Sequence, residues 1–120
     1  MEFKIVNVGY IEEVCDNSRE LIKEMIDIFR SQVSEFKDEM EKLYSEGKYY
    51  DLGQLAHKAK SSVAIMGMDD LAEKLKELEL YSVKGTNTET YSDYIRIFEN
   101  QTNEALDELD VYLETLNRTR

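Results

Sequence analysis

The sequence predicts an all-α protein, an antiparallel up-down four-helix bundle with a short additional helix at its N-terminal end, formed as a single domain over residues 1–120. Three observations predict it. The 120 residues contain no proline and five glycines, which favours long uninterrupted helices over a turn-rich sandwich or barrel. Apolar residues recur in steps of three or four along most of the chain, the period of a helix with one buried face. The connections between these stretches are short, and short connections make consecutive helices antiparallel neighbours.

The elements follow in order. The first nine residues alternate apolar and polar (Phe3, Ile5, then Val6 and Val8) and read as an extended lead-in. Tyr10 to Cys15 fit a short helix with Tyr10, Ile11 and Val14 on one side. Asn17 followed by Glu20 suggests an N-cap with a capping box. The stripe Ile22, Met25, Phe29, Val33, Phe36, Met40 and Leu43 then runs for about seven turns before Gly47 supplies a left-handed stop. A second long helix is expected from Tyr49 to Met66, with Leu52, Leu55, Ala56, Ala59, Val63 and Met66 inward and Gly67 as its stop. Asp69 and Asp70 open the next helix with acids at its positive dipole end, and Leu71, Leu75, Leu78 and Tyr81 form its stripe. Lys84–Thr88 is the clearest loop. The last helix starts near Thr88 to Thr90, and its stripe runs from Tyr91 through Tyr94, Ile95, Phe98, Thr102, Ala105, Leu106, Leu109 and Leu113 to Leu116.

Composition narrows the function. Twenty-six acidic residues against fifteen basic ones give a formal charge of −11, which opposes binding to nucleic acid or an anionic membrane. No apolar run is long enough to span a bilayer, and Met1-Glu2-Phe3-Lys4 does not read as a secretory leader. The lone Cys15 allows no internal disulfide and suits a reducing compartment, so a cytoplasmic location is expected. A di-iron bundle needs repeated Glu-x-x-His pairs, whereas the one histidine here, His57, has Gln54 three residues before it. A zinc site would have only His57 and Cys15 as nitrogen and sulfur ligands. There is no glycine-rich phosphate loop and no nucleophile elbow.

What remains is His57 and its setting. From Leu52 to Met68 an acid-rich chain carries no acid, but it carries Lys58 and Lys60. At 100° per residue Gly53, Gln54, Lys60, Ser61 and Ala64 share the face of His57, opposite the apolar stripe. The ring should therefore stand outward among small residues, with room for another protein's surface. Two lysines nearby disfavour the imidazolium, leaving a neutral ring with a free lone pair. Lys60 could reach a phosphoryl group attached to that ring. The same geometry also fits an ordinary surface histidine between ordinary surface lysines.

The run Ala56-His57-Lys58-Ala59-Lys60-Ser61-Ser62, followed by Gly67 and Leu71, resembles the signature of histidine-containing phosphotransfer (HPt) domains, the four-helix phosphocarriers of two-component signalling. The histidine, the lysine three residues on, the glycine ten residues on and the leucine four beyond it all match the family's pattern. Similarity extends over about residues 7 to 116, including Tyr10–Val14 and Leu21–Phe29. Two positions depart: Ser61 stands where the family most often has glycine, and Ala59 where it often has leucine.

The resemblance implies that His57 accepts a phosphoryl group from a receiver-domain aspartate and passes it to another receiver. Lys60 would screen phosphoryl charge, Gln54 and Ser61 would offer hydrogen bonds, and Lys58 would contribute field alone. Gly53, Ser61 and Ala64 would form a docking floor. No cofactor of its own is expected, because the partner receiver carries the Mg²⁺. The expected partners are response-regulator receiver domains and a hybrid sensor kinase, with the carrier itself a monomer. Met1 and the absence of a linker favour a free-standing carrier over a piece of such a kinase. Two other readings stand beside this one: a non-catalytic helical adaptor using the same face, and a structural bundle that dimerises.

Overall fold

The computed structural model describes residues 3–118; Met1, Glu2, Thr119 and Arg120, the ends of the expected 1–120 domain and part of its lead-in, lie outside the described residues. Five α-helices follow one another: α1 (Val8–Val14), α2 (Arg19–Ser45), α3 (Tyr49–Ile65), α4 (Asp69–Lys84) and α5 (Tyr91–Arg118), with one 3-10 turn at Thr88–Thr90. The described residues contain no strand. Helices α2 to α5 form the expected bundle. α3 packs most extensively on α4, while α2 lies against α3 and α5, and α4 against α5, closing the ring. Helices α2 and α5, at 27 and 28 residues, outrun α3 and α4, at 17 and 16. The short α1 fills in at the end the shorter pair leaves open, and the whole measures 50 × 20 × 20 Å.

The core is the apolar stripe of each helix. Phe29, Met40, Leu52, Leu78, Phe98 and Leu109 are all within 2% of complete burial. Some stripe positions are looser: Met25, Phe36, Leu55, Tyr81, Tyr94 and Leu116 are half-buried. Several core residues lie outside the expected stripes, Met68 and Cys15 among them. Ile26 and Tyr112 widen the apolar faces of α2 and α5, and the Tyr112 hydroxyl donates to Glu12 across the α1–α5 contact.

Three local expectations need correction. α1 begins at Val8 with Asn7 as its cap, and its buried side is Ile11 with Cys15 just beyond, whereas Tyr10 and Val14 are exposed. A seven-residue helix, two turns long, can bury only a narrow stripe. The cap of α2 is Ser18, whose hydroxyl accepts from the Leu21 N–H, and not Asn17. Asp16 and Asn17 are both left-handed, at φ 53° and 58°, so the reversal between α1 and α2 is tight and the chain enters its cap one residue later. α3 ends at Ile65, with Met66 as its C-cap. The left-handed stops at Gly47 and Gly67 are present, at φ 71° and 75°.

The lead-in is held by α5. The Glu108 carboxylate accepts from the backbone N–H groups of Lys4, Ile5 and Val6, each at 3.0 Å, and the Asn7 N–H donates to the Met66 carbonyl. Three successive amides with no ladder partner thus share one carboxylate, as charged acceptors allow. Glu108→Ala should lower stability by about 2 kcal/mol, because it strands partly buried amides, and Glu108→Gln should lose less. Urea denaturation of the three proteins checks this ordering. Among the described residues no helix is long and apolar enough to cross a membrane.

Candidate functional site

His57 sits midway along α3 with its side chain 57% exposed. The elements around it explain the position. Leu52, Ala56, Ala59 and Val63 point into the bundle, and this buried stripe turns the intervening His57 outward. On one side lies α4, on the other α2.

The α4 side carries a residue that sequence reading missed. The Glu79 carboxylate lies 3.0 and 3.1 Å from His57 Nδ1, and its Oε1 is 3.5 Å from Lys60 Nζ. A carboxylate can only accept, so Nδ1 carries a proton, and in the neutral ring the lone pair is then on Nε2. Glu79 is 22 positions from His57 in sequence. Only the α3–α4 pairing could have singled it out. The expected acid-free setting of two lysines is therefore corrected in space: Lys60, 29% exposed, is turned to the carboxylate, and Lys58 is exposed on the other side.

Gly53 explains how α4 comes so near, and its role needs correction. It is buried and forms no part of an accessible floor. A Cβ added there would stand 2.7 Å from Val83 Cγ2, 2.8 Å from Ser82 Oγ and 3.2 Å from the Glu79 carbonyl oxygen. The helices touch at backbone level at this point, one turn before His57. The last turns of α4, Glu79 included, are drawn in against α3. Ser82, beneath this contact, is buried and donates to the Leu78 carbonyl at 2.6 Å.

The other small neighbours are where the helical wheel places them. Ser61 is exposed and Ala64 half-buried, so both leave the ring's surroundings open. Gln54 is exposed on the α2 side and makes no hydrogen bond to the ring. Between α2 and α3 a groove runs past His57, Lys58 and Ser61 toward Ile65. Cys15 is no rival nucleophile: it is 2% exposed, and burial pushes its thiol above the ordinary pKa range.

The site is thus an exposed imidazole held at Nδ1 by Glu79, with a lysine one turn on and a bundle holding both. The profile of the Hpt domain family matches residues 24–118, nearly all of α2 and the whole of α3, α4 and α5. The chain belongs to the Hpt domain family. Comparison with curated proteins and with solved structures finds no individual match. Hpt domains are intermediates in the phosphotransfer of two-component signalling, and they interact with receiver domains. As a class they carry phosphoryl groups and are not enzymes with nucleotide sites.

Proposed function

We propose that this Hpt domain takes a phosphoryl group from the aspartyl phosphate of one receiver domain onto His57 Nε2 and passes it to the aspartate of another. The observation that carries this reading is the Glu79–Nδ1 contact on a half-exposed ring, which in the neutral imidazole leaves the lone pair on Nε2. In the first transfer the P–O bond of the aspartyl phosphate breaks and its electron pair leaves with the carboxylate. The Nε2 lone pair forms the new P–N bond. The ring then carries positive charge beside Glu79, which keeps its hold on the Nδ1 proton. Lys60 is placed to turn from Glu79 toward the phosphoryl oxygens. The partner receiver brings Mg²⁺ to neutralise those oxygens, so the carrier needs no metal of its own and acts as a monomer.

The decisive test mixes the protein with purified phosphorylated receivers and looks for acid-labile, base-stable phosphate on His57. Phosphate that resists acid, or none from any receiver, overturns the reading. Glu79 is a positioning residue in this scheme. Glu79→Ala should slow uptake by roughly tenfold, the scale of one lost charged hydrogen bond, and should shift the imidazole nitrogen signals in NMR toward a mixture of tautomers. Glu79→Gln should retain most of the rate, since its amide oxygen still accepts from Nδ1. An unchanged tautomer in the alanine variant excludes this role. Ser61→Arg should leave the melting temperature unchanged, because the site is exposed, and slow transfer sharply by obstructing the approach to the ring. A wild-type rate would remove Ser61 from the docking surface.

A further inference from the structure

The groove beside His57 is continuous with a second one at the α1 end of the bundle. Gln32, Ser62 and Ile65 line both. The Ser62 hydroxyl donates to Gln32 at 3.0 Å between them, joining α2 to α3 across the shared stretch. The combined groove is graded. Its far half is apolar and open: Val14, Leu21, Ile28 and Ile65 line it and are between 40% and 57% exposed. Its α2 wall is acidic, with Glu24 at the apolar end and Glu35, Asp38 and Glu39 opposite His57 and Lys58. All four acids are exposed, and none is ion-paired or hydrogen-bonded through its side chain. On the α4 side of His57, Glu79 is instead held by the ring and Lys60.

Unpaired charge of one sign along one wall of an apolar groove is a selectivity element. We propose that this wall chooses among receiver domains, favouring those whose docking surface carries an apolar ridge flanked by lysine or arginine on the side that meets α2. The ridge would seat on Ile28 and Ile65. Ile65 lies eight residues, roughly 12 Å along the helix axis, from His57, and that is the separation the partner must reproduce between its ridge and its phosphoryl-bearing aspartate. The inference rests on the receiver partnership proposed above, and it adds which receivers are taken.

The test uses a panel of purified receiver domains that differ in the charge of their docking surface, titrated calorimetrically against the full chain carrying His57→Gln. Binding is then read without transfer. The triple variant Glu35→Lys, Asp38→Lys, Glu39→Lys should weaken basic receivers at least tenfold, flatten their salt dependence and strengthen acidic ones. Ile28→Ala should weaken all receivers alike. Reversal of Glu104 and Asp107, exposed on α5, should change nothing beyond twofold. Circular dichroism of each variant confirms that the helices persist. Equal affinities for basic and acidic receivers, or a triple reversal that leaves binding within twofold, overturns the proposal. Those outcomes leave phosphotransfer intact, because uptake by the unmutated His57 is measured separately. A panel that binds by charge but leaves no phosphate on His57 would instead support the selective wall and remove the carrier reading.

Discussion

A His57→Gln protein will take no phosphoryl group from any receiver, yet it will fold and bind as before. The fold is safe because the ring is more than half exposed and its recorded hydrogen-bond partner is Glu79. A glutamine amide can donate to that carboxylate, so the melting temperature should stay within about a degree or two, as is usual for surface changes. The chemistry is lost because an amide nitrogen has no lone pair free to attack phosphorus. Phosphate retention on phosphorylated receivers, followed by gel mobility, checks the first half, and calorimetric titration checks the second. An adaptor would keep its signalling output under this substitution, whereas a carrier would not. Continued phosphate uptake would move the acceptor away from His57.

Gly53→Val should cost the fold about 3 kcal/mol, the upper part of the usual range for overpacking. The side chain would collide with Val83 and with the buried Ser82, and then with the Glu79 carbonyl, which is backbone and cannot turn aside. Gly53→Ala faces the same first contact but gains nearly 1 kcal/mol of helix propensity, so its net loss should be smaller, about 1 kcal/mol. Urea denaturation measures both. The valine protein should show a second effect in whatever fraction remains folded. If α4 moves outward, Glu79 leaves Nδ1 and the ring's tautomer preference weakens, which NMR of the imidazole reads directly. A valine variant with wild-type stability would show that the helices do not need this close approach.

Much of the fold was legible because it depends on period and punctuation. The α2 and α5 stripes and the Gly47 and Gly67 stops stand in the expected places, and the expected Lys84–Thr88 loop is present but shorter, at residues 85–87. Where the reading failed, the deciding term was tertiary. Asn17 has the right chemistry for a cap, but the tight reversal after Cys15 puts it in a left-handed conformation and gives the cap to Ser18. Tyr10 and Val14 have the right period, but α1 has too few neighbours to cover them.

The site divides the same way. His57 outward, Lys60 one turn on and Ser61 in the open follow from a single helix's geometry. Gly53 and Glu79 do not. On a helical wheel Gly53 is merely small and on the face of His57, and nothing local says that another helix lies over it. Glu79 is one acid among many in a chain with 26. Its distinction comes from the partner it meets.

The solitary ring also governs traffic. With one reactive nitrogen on one face, donor and recipient compete for the same berth, and under the carrier reading neither can hand over while the other is moored. Exchange is then ping-pong, and an idle receiver in excess becomes a competitive inhibitor of the relay. Throughput would depend as much on how quickly spent partners depart as on the chemistry of the transfer itself.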